Sequence, residues 1–230
     1  NNMKLTFRIE YRTAWGEELG VILDGNNSES IILRTPNGEH WEGEAEMPDL
    51  PACVPVSYRY GVYRDGQCIR RESGTMAHLF CPGKKKNCHY ILNDFWKDLP
   101  AESYLYSYQS ETTIKVTASA DGSITFRALC PCLHHKRQVL AISGDCPALG
   151  NWDIQKTVLM EEIQPNEWTI TLNVSTLEFP LSYKFVACNA DSKQVEEWEN
   201  HDNRMLNNPE LKKGEIYLTP ETEVHFTSSA

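Results

Sequence analysis

Apolar and polar residues alternate with a period of two along most of this chain, and no stretch sustains the 3.6-residue period of an amphipathic helix. The alternation predicts strands at Lys4–Tyr11, Gly20–Leu23, Ser57–Tyr63, Ser123–Cys130, Gln138–Ile142, Val158–Ile163, Trp168–Val174, Leu181–Cys188 and Glu215–Thr219. Clusters of turn-forming residues separate them: Asp24-Gly25-Asn26-Asn27, Thr35-Pro36-Asn37-Gly38, Arg64-Asp65-Gly66, Ala120-Asp121-Gly122 and Gln164-Pro165-Asn166. Glycine tolerates positive φ in such turns, and Asn and Asp bond their own backbone there. Many short strands at this spacing predict an all-β fold of sandwiches or barrels. One helical turn is expected at Asn207–Leu211.

The pattern also repeats. His40-Trp41-Glu42-Gly43, Ser57-Tyr58-Arg59-Tyr60 and Ile69-Arg70-Arg71-Glu72 return as Glu167-Trp168-Thr169-Ile170, Ser182-Tyr183-Lys184-Phe185 and Glu196-Glu197-Trp198-Glu199, at offsets of 127, 125 and 127 residues. Phe7-Arg8 returns as Phe126-Arg127 at an offset of 119, so the first copy is 8 residues shorter between its first strand and its internal Trp. Two related β-domains of about a hundred residues each fit the length. The expected division is 1–83 for the first domain, 84–111 for an aromatic linker and 112–230 for the second domain. The linker holds Lys84-Lys85-Lys86, Asn93-Asp94-Phe95-Trp96 and the Tyr104, Tyr106, Tyr108 series, unlike a flexible Gly/Ser tether. Either it packs across both domains and fixes their angle, or Trp96 caps one sandwich alone.

Composition narrows the partners. The 230 residues carry a net charge of -10, which repels phosphate backbones and anionic lipid. A hydrophobic fraction of 40% supports a core. No apolar run reaches the ~18–20 residues of a membrane-spanning helix. The opening Met3-Lys4-Leu5-Thr6-Phe7-Arg8 has no signal-peptide core, and with eight cysteines the expectation is free thiols and a cytoplasmic setting.

Two tryptophans stand out as candidate ligand platforms. Trp152 lies in the polar loop Leu149-Gly150-Asn151-Trp152-Asp153, where its ring either plugs the loop or faces solvent. Trp198 lies in Glu196-Glu197-Trp198-Glu199-Asn200 with few apolar neighbours. Strict alternation places it opposite Val195, hence outward if Val195 is core. A flat indole ringed by amides and carboxylates can stack on the C–H face of a sugar while the polar groups bond its hydroxyls. Trp168 keeps period with its strand and reads as core, and Trp15 in Thr13-Ala14-Trp15-Gly16 is expected to cover one end of the first sandwich.

The run Leu149-Gly150-Asn151-Trp152, Glu167-Trp168, Ser182-Tyr183-Lys184-Phe185, Glu197-Trp198-Glu199-Asn200 and Asp202-Asn203-Arg204 resembles a starch-binding domain of carbohydrate-binding module family 20. The resemblance implies two tandem immunoglobulin-like antiparallel β-sandwiches. It implies a glucan site made by Trp152, Lys184, Trp198, Glu199 and Asn203. The family's second site relies on tyrosines that His134–Arg137 and Glu161–Asn166 lack, so that site is expected to be absent or remodelled. In the first copy Arg71 replaces the Trp and the Leu-Gly-Asn-Trp loop is missing, so no glucan binding is expected at the equivalent site. The tandem arrangement, opening on the Phe7–Gly16 pattern, resembles the N-terminus of glycoside hydrolase family 77 4-α-glucanotransferases, whose catalytic barrel is not in this chain. The expected role is therefore non-catalytic binding of α-1,4-glucan for such an enzyme, with no cofactor.

Three other readings compete. Cys130-Pro131-Cys132-Leu133-His134-His135 gathers zinc-ligand types, at a spacing too tight for one ion unless Cys81, Cys88 or His89 joins. Glu196, Glu197 and Glu199 suggest paired carboxylates, yet all sit in one short segment. A protein-interaction or glycogen-regulatory module would use exposed strand edges and would not need the Trp pair.

Overall fold

The computed structural model describes residues 1–24, 30–52, 54–73, 77–98 and 122–226. The turns expected at 25–27 and 120–121, Cys53, the tyrosines at 104, 106 and 108 and the 111/112 boundary lie outside the described residues. The structure is all-β, built from two antiparallel five-stranded sheets and one mixed eight-stranded sheet, consistent with β-sandwich packing.

The first half contributes β1 (Asn2–Glu10), β2 (Glu18–Leu23), β3 (Ile31–Ile32), β4 (His40–Pro48), β5 (Val56–Arg64), β6 (Gln67–Arg71), β7 (His78–Phe80) and β8 (His89–Phe95). The second contributes β9 (Ser123–Leu129), β10 (Gln138–Gly144), β11 (Val158–Leu159), β12 (Glu161–Gln164), β13 (Glu167–Asn173), β14 (Leu181–Asn189), β15 (Val195–Trp198), β16 (Arg204–Leu206), β17 (Glu215–Leu218) and β18 (Thr222–Glu223). Asn207–Leu211 forms no helical turn. Pro209 interrupts it, and the segment runs irregularly into β17. The single strand expected at Val158–Ile163 is two, β11 and β12, which join different sheets.

The two halves share one connection diagram. A five-stranded sheet β3-β2-β5-β6, with β7 also on β5, matches β11-β10-β14-β15, with β16 also on β14. The remaining strands form one eight-stranded sheet whose main path is β12-β13-β9-β17-β8-β1-β4, with β18 on β9. Its centre is a palindrome: β4 and β1 pair antiparallel and β8 runs parallel to β1, while β13 and β9 pair antiparallel and β17 runs parallel to β9. β8 and β17 then pair in parallel and join the halves. His89–Phe95 falls inside the stretch read as linker. It is instead the closing strand of the first half, standing where β17 stands in the second.

A parallel palindrome is what a two-fold axis along the strand direction produces, and such an axis also exchanges the faces of the sheet. The cores follow that rule. One lies between β1, β4, β8 and the first five-stranded sheet, around Phe7, Trp41, Tyr58 and Leu92. The other lies between β9, β13 and the second, around Phe126, Leu140, Trp168 and Phe185. β17 feeds both: Ile216 and Leu218 point into the first core and Tyr217 packs on the second.

A buried charge network fixes the junction. The Arg127 guanidinium of β9 lies 2.9 Å from the Asp94 carboxylate of β8 and 3.2 Å from Glu221. Tyr58 and Tyr60 donate their hydroxyls to Asp94 at 2.8 and 2.6 Å. His78 bonds Glu72 at 2.6 Å and lies 3.3 Å from Glu221. Lys97 pairs with Glu167 and Glu221 across the junction. Buried charges survive only with such partners. Trp96 stacks on Tyr11 with centroids 4.3 Å apart, so it caps the first half.

Trp15 departs from the expectation that it covers a sandwich end. It is 99% exposed. It occupies the second position of the turn Ala14–Glu17, closed by Glu17 N–H to the Ala14 carbonyl at 3.1 Å, with Gly16 at φ +83° in the third position. That geometry belongs to a type II turn, which projects the second residue away from the strands.

Candidate functional site

The outer face of the second half's five-stranded sheet carries the candidate site. On β14, Tyr183, Phe185 and Ala187 enter the core, so Lys184 and Val186 face outward. Trp198 pairs with Val186 on this outer face. The alternation argument for Trp198 reached the right face by the wrong step. A β-bulge lets Val195 oppose Cys188 and Glu197 oppose Ala187, which inserts one extra residue and reverses the parity. Val195 and Trp198 therefore share the outer face, where Val195 covers a small apolar patch of Ala141, Val186 and Cys188.

Trp152 reaches the same place from the loop after β10. Leu149, rather than Trp152, is the plug: it is fully buried in the second core. The chain then reverses through Gly150, Asn151 and Trp152 at φ +80°, +49° and +64°. Gly150 is required, since a Cβ there would lie 2.4 Å from the Lys156 carbonyl oxygen. Amides of Leu149 and Asn151 both bond the Cys146 carbonyl, at 3.0 and 3.1 Å, which holds the loop. Left-handed backbone at a bulky residue is stored strain, and it presents the Trp152 ring. The Trp152 and Trp198 centroids lie 6.2 Å apart with an interplanar angle of 45°, so the rings form a shallow V, Trp198 being 36% exposed.

Lys184 lies on this face, two residues from Val186, and makes no ion pair with any described residue. Asn203 is exposed at the start of β16. Glu199 does not join them. Its side chain is buried, accepting from the Phe185 backbone N–H at 2.7 Å and pairing with the Arg204 guanidinium at 2.7 Å. Glu199 follows the outward Trp198 by simple alternation, its amide bonding the carbonyl of the core residue Phe185 at 3.0 Å, so its side chain turns inward and holds the loop 199–203 in place. Ser143 was missed. It pairs with Lys184 on the outer side of the sheet, buried, with no hydrogen-bond partner for its hydroxyl among the described residues. A lone Ser directly after the apolar Leu140–Ile142 run is its one sequence signal.

The other candidate chemistry is dispersed. Glu196 and Glu197 both accept from Gln138, at 3.3 and 3.1 Å, along one strand. His134 bonds Glu162 at 2.6 Å and stacks on the buried Trp168. Burial pushes the Cys130 thiol far above its ordinary range. The stretch from Cys130 to His135 does not gather with Cys81, Cys88 or His89 into a three-ligand group among the described residues. The one such group there is His78, Asp94 and Glu221. Arg127 and Lys97 already neutralise it. Burial alone would lower the His78 pKa, but the charges of Glu221 and Asp94 outweigh it and push His78 up to about 10.

An all-β scaffold presenting a Trp pair on one sheet face has the form of a carbohydrate-binding module, and the comparisons agree: residues 122–216 match the family described as starch binding domain. The second half is thus a starch-binding-domain-like module. Over 231 residues the chain is 24% identical to the 4-alpha-glucanotransferase DPE2 of Oryza sativa subsp. japonica, covering 89% of this chain and 24% of that protein. It spans about a quarter of the length of that relative. Among solved structures it is similar to a family 15 glucoamylase from Hypocrea jecorina, with TM-score 0.38, 21% identity and coverage of 50% of this chain and 19% of that one. A family 20 module of a Pseudomonas saccharophila maltotetraose-forming amylase gives TM-score 0.32, 18% identity and coverage of 41% and 98%.

Proposed function

We propose that this chain is a pair of tandem immunoglobulin-like β-sandwiches whose second member binds α-1,4-glucan without turning it over. The V of Trp152 and Trp198 on the outer face of β14–β15, inside the segment that matches the starch binding domain, carries this reading. Each indole offers a flat apolar face to a glucose ring, while Lys184 and Asn203 bond hydroxyls. Glu199 positions Arg204 and the 199–203 loop. In the whole protein the module would serve a 4-α-glucanotransferase catalytic domain by raising the local concentration of polymeric substrate. The similarity to the rice enzyme supports that second step.

Titration of β-cyclodextrin or maltoheptaose against tryptophan fluorescence tests the reading. Saturable binding with a Kd on the order of 10 μM to 1 mM is expected, since few groups are fixed against competing water. Trp198→Ala abolishes most of it without unfolding the domain, because the ring lies on an outer face and outside the second core. Binding that survives this substitution places the platform elsewhere. Wild-type protein that binds neither ligand leaves protein interaction as the better reading.

A further inference from the structure

A second concave surface lies between the two halves, and nothing so far assigns it. It is a cleft of roughly 530 Å³ walled on one side by Phe95 and Trp96 and on the other by Asn203 and Met205. Phe95 is 50% exposed and Met205 60% exposed, large apolar surface on the two lips of one groove. Trp96 is pre-set there by its stack on Tyr11 and by its Nε1–H, which donates to Asp98 at 2.8 Å.

The cleft lies at the edge of the sheet whose outer face carries Trp152 and Trp198. β15 and β16 follow one another along the same edge of β14: Met205, opposing Ser182, shares the outer side with Trp198, while Arg204, opposing Tyr183 three residues from the Val186 that Trp198 opposes, turns to the core side. That separation is three residues, or about 10 Å at the rise of a strand. The 199–203 loop spans it, with Trp198 before it and Asn203 on the cleft lip. We propose that the cleft is a second α-glucan subsite, occupied by a chain that runs from the Trp pair over Asn203 and stacks on Phe95. The inference rests on the glucan reading of the Trp pair.

The chemistry favours a neutral polyol over an ion. The charged groups of the cleft wall are already paired, Arg204 with Glu199, Lys97 with Glu167 and Glu221, His78 with Glu72 and Glu223 with His225, so no lone cation among these described residues selects an anion. Exposed apolar side chains beside an amide match a sugar ring, which is apolar on its faces and polar at its rim. The first half would then contribute to glucan binding through the end of β8, although it lacks the Trp pair.

Calorimetric titration of maltotriose and maltodecaose into the full chain tests this. Maltotriose covers the Trp pair alone, and maltodecaose reaches the cleft. Maltodecaose should bind more tightly, and Phe95→Ala should weaken it about two- to tenfold, the range one aromatic contact supplies. The ratio of the two affinities should shrink accordingly, which cancels the statistical advantage of a longer chain. Trp198→Ala should remove binding of both. An unchanged ratio in a folded Phe95→Ala protein overturns the cleft subsite and leaves the Trp-pair reading intact. Failure of wild type to bind either sugar, or full binding by Trp198→Ala, overturns the Trp-pair reading itself.

Discussion

The two halves share strands, connections and even a bulge, yet differ at the face where the second carries its Trp pair. Arg71 opposes Gly61 in β6–β5 where Trp198 opposes Val186 in β15–β14. β2 passes to β3 over positions 24–30, whereas β10 passes to β11 over 145–157, and the longer connection carries Trp152. Beneath this difference one buried carboxylate is retained. Glu72 accepts the Tyr60 N–H at 2.7 Å, and Glu199 accepts the Phe185 N–H at 2.7 Å. The scaffold holds its carboxylate two residues beyond the bulge whether or not the face above it has a platform. The fold therefore does not depend on the site.

Substituting those two carboxylates is the largest test of the comparison. Glutamine keeps the shape but turns one acceptor into a donor. In Glu72→Gln that donor meets the Lys97 N–H, His78 or the Tyr60 N–H; in Glu199→Gln it meets Arg204 or the Phe185 N–H. Each variant should lose about 3–5 kcal/mol, the usual loss on breaking a buried pair. Urea unfolding measures it. Glu199→Gln should also weaken glucan binding, since the 199–203 loop loses its anchor, while Glu72→Gln should not. Equal binding losses in both would end the distinction between the halves.

The junction gives a smaller, pH-dependent test. His78 is protonated in the fold up to about 10, against an ordinary value of 6.5. A raised pKa gives stability that is complete below about 6.5 and lost as pH rises through about 10. Glu221 works in the opposite sense. Burial would raise it, yet His78 and Lys97 hold it well below its ordinary 4.5, so its contribution is present above that value and lost on acidification. Tm should therefore fall on both sides of neutrality, and His78→Gln should flatten the alkaline limb. An unchanged alkaline limb would show that the network does not hold the halves together.

Much of the fold was legible because alternation follows from burial of one sheet face. β1, β5, β9, β13 and β14 read directly from their apolar residues. β8 did not. His89-Tyr90-Ile91-Leu92-Asn93 is buried on both faces at the sheet centre, and the aromatic run that follows disguised it as linker. Arg127, Asp94 and Glu221 look like solvent-facing charges until the other half supplies their counter-ions, a contact no local pattern contains. In the candidate site the two Trp residues were legible as costly exposed rings. The role of Glu199 was not: alternation from an outward Trp198 turns it inward, but the Arg204 that it pairs with there lies five residues on, across a loop.

The smallest effect concerns the one tryptophan that neither half buries. Trp15 sits at the tip of a turn that backbone bonds and Gly16 hold without its ring, helped by Glu17 accepting from the Ala14 N–H at 2.6 Å. Trp15→Ala should shift stability by less than about 0.5 kcal/mol, as at other surface positions without partners. Glucan affinity should not change, since the first half lacks a second ring to form a V. A measurable loss of affinity would mean that the first half carries a platform at the β1–β2 turn, far from the face where the second half carries its own. The two halves would then differ in where they bind rather than in whether they bind.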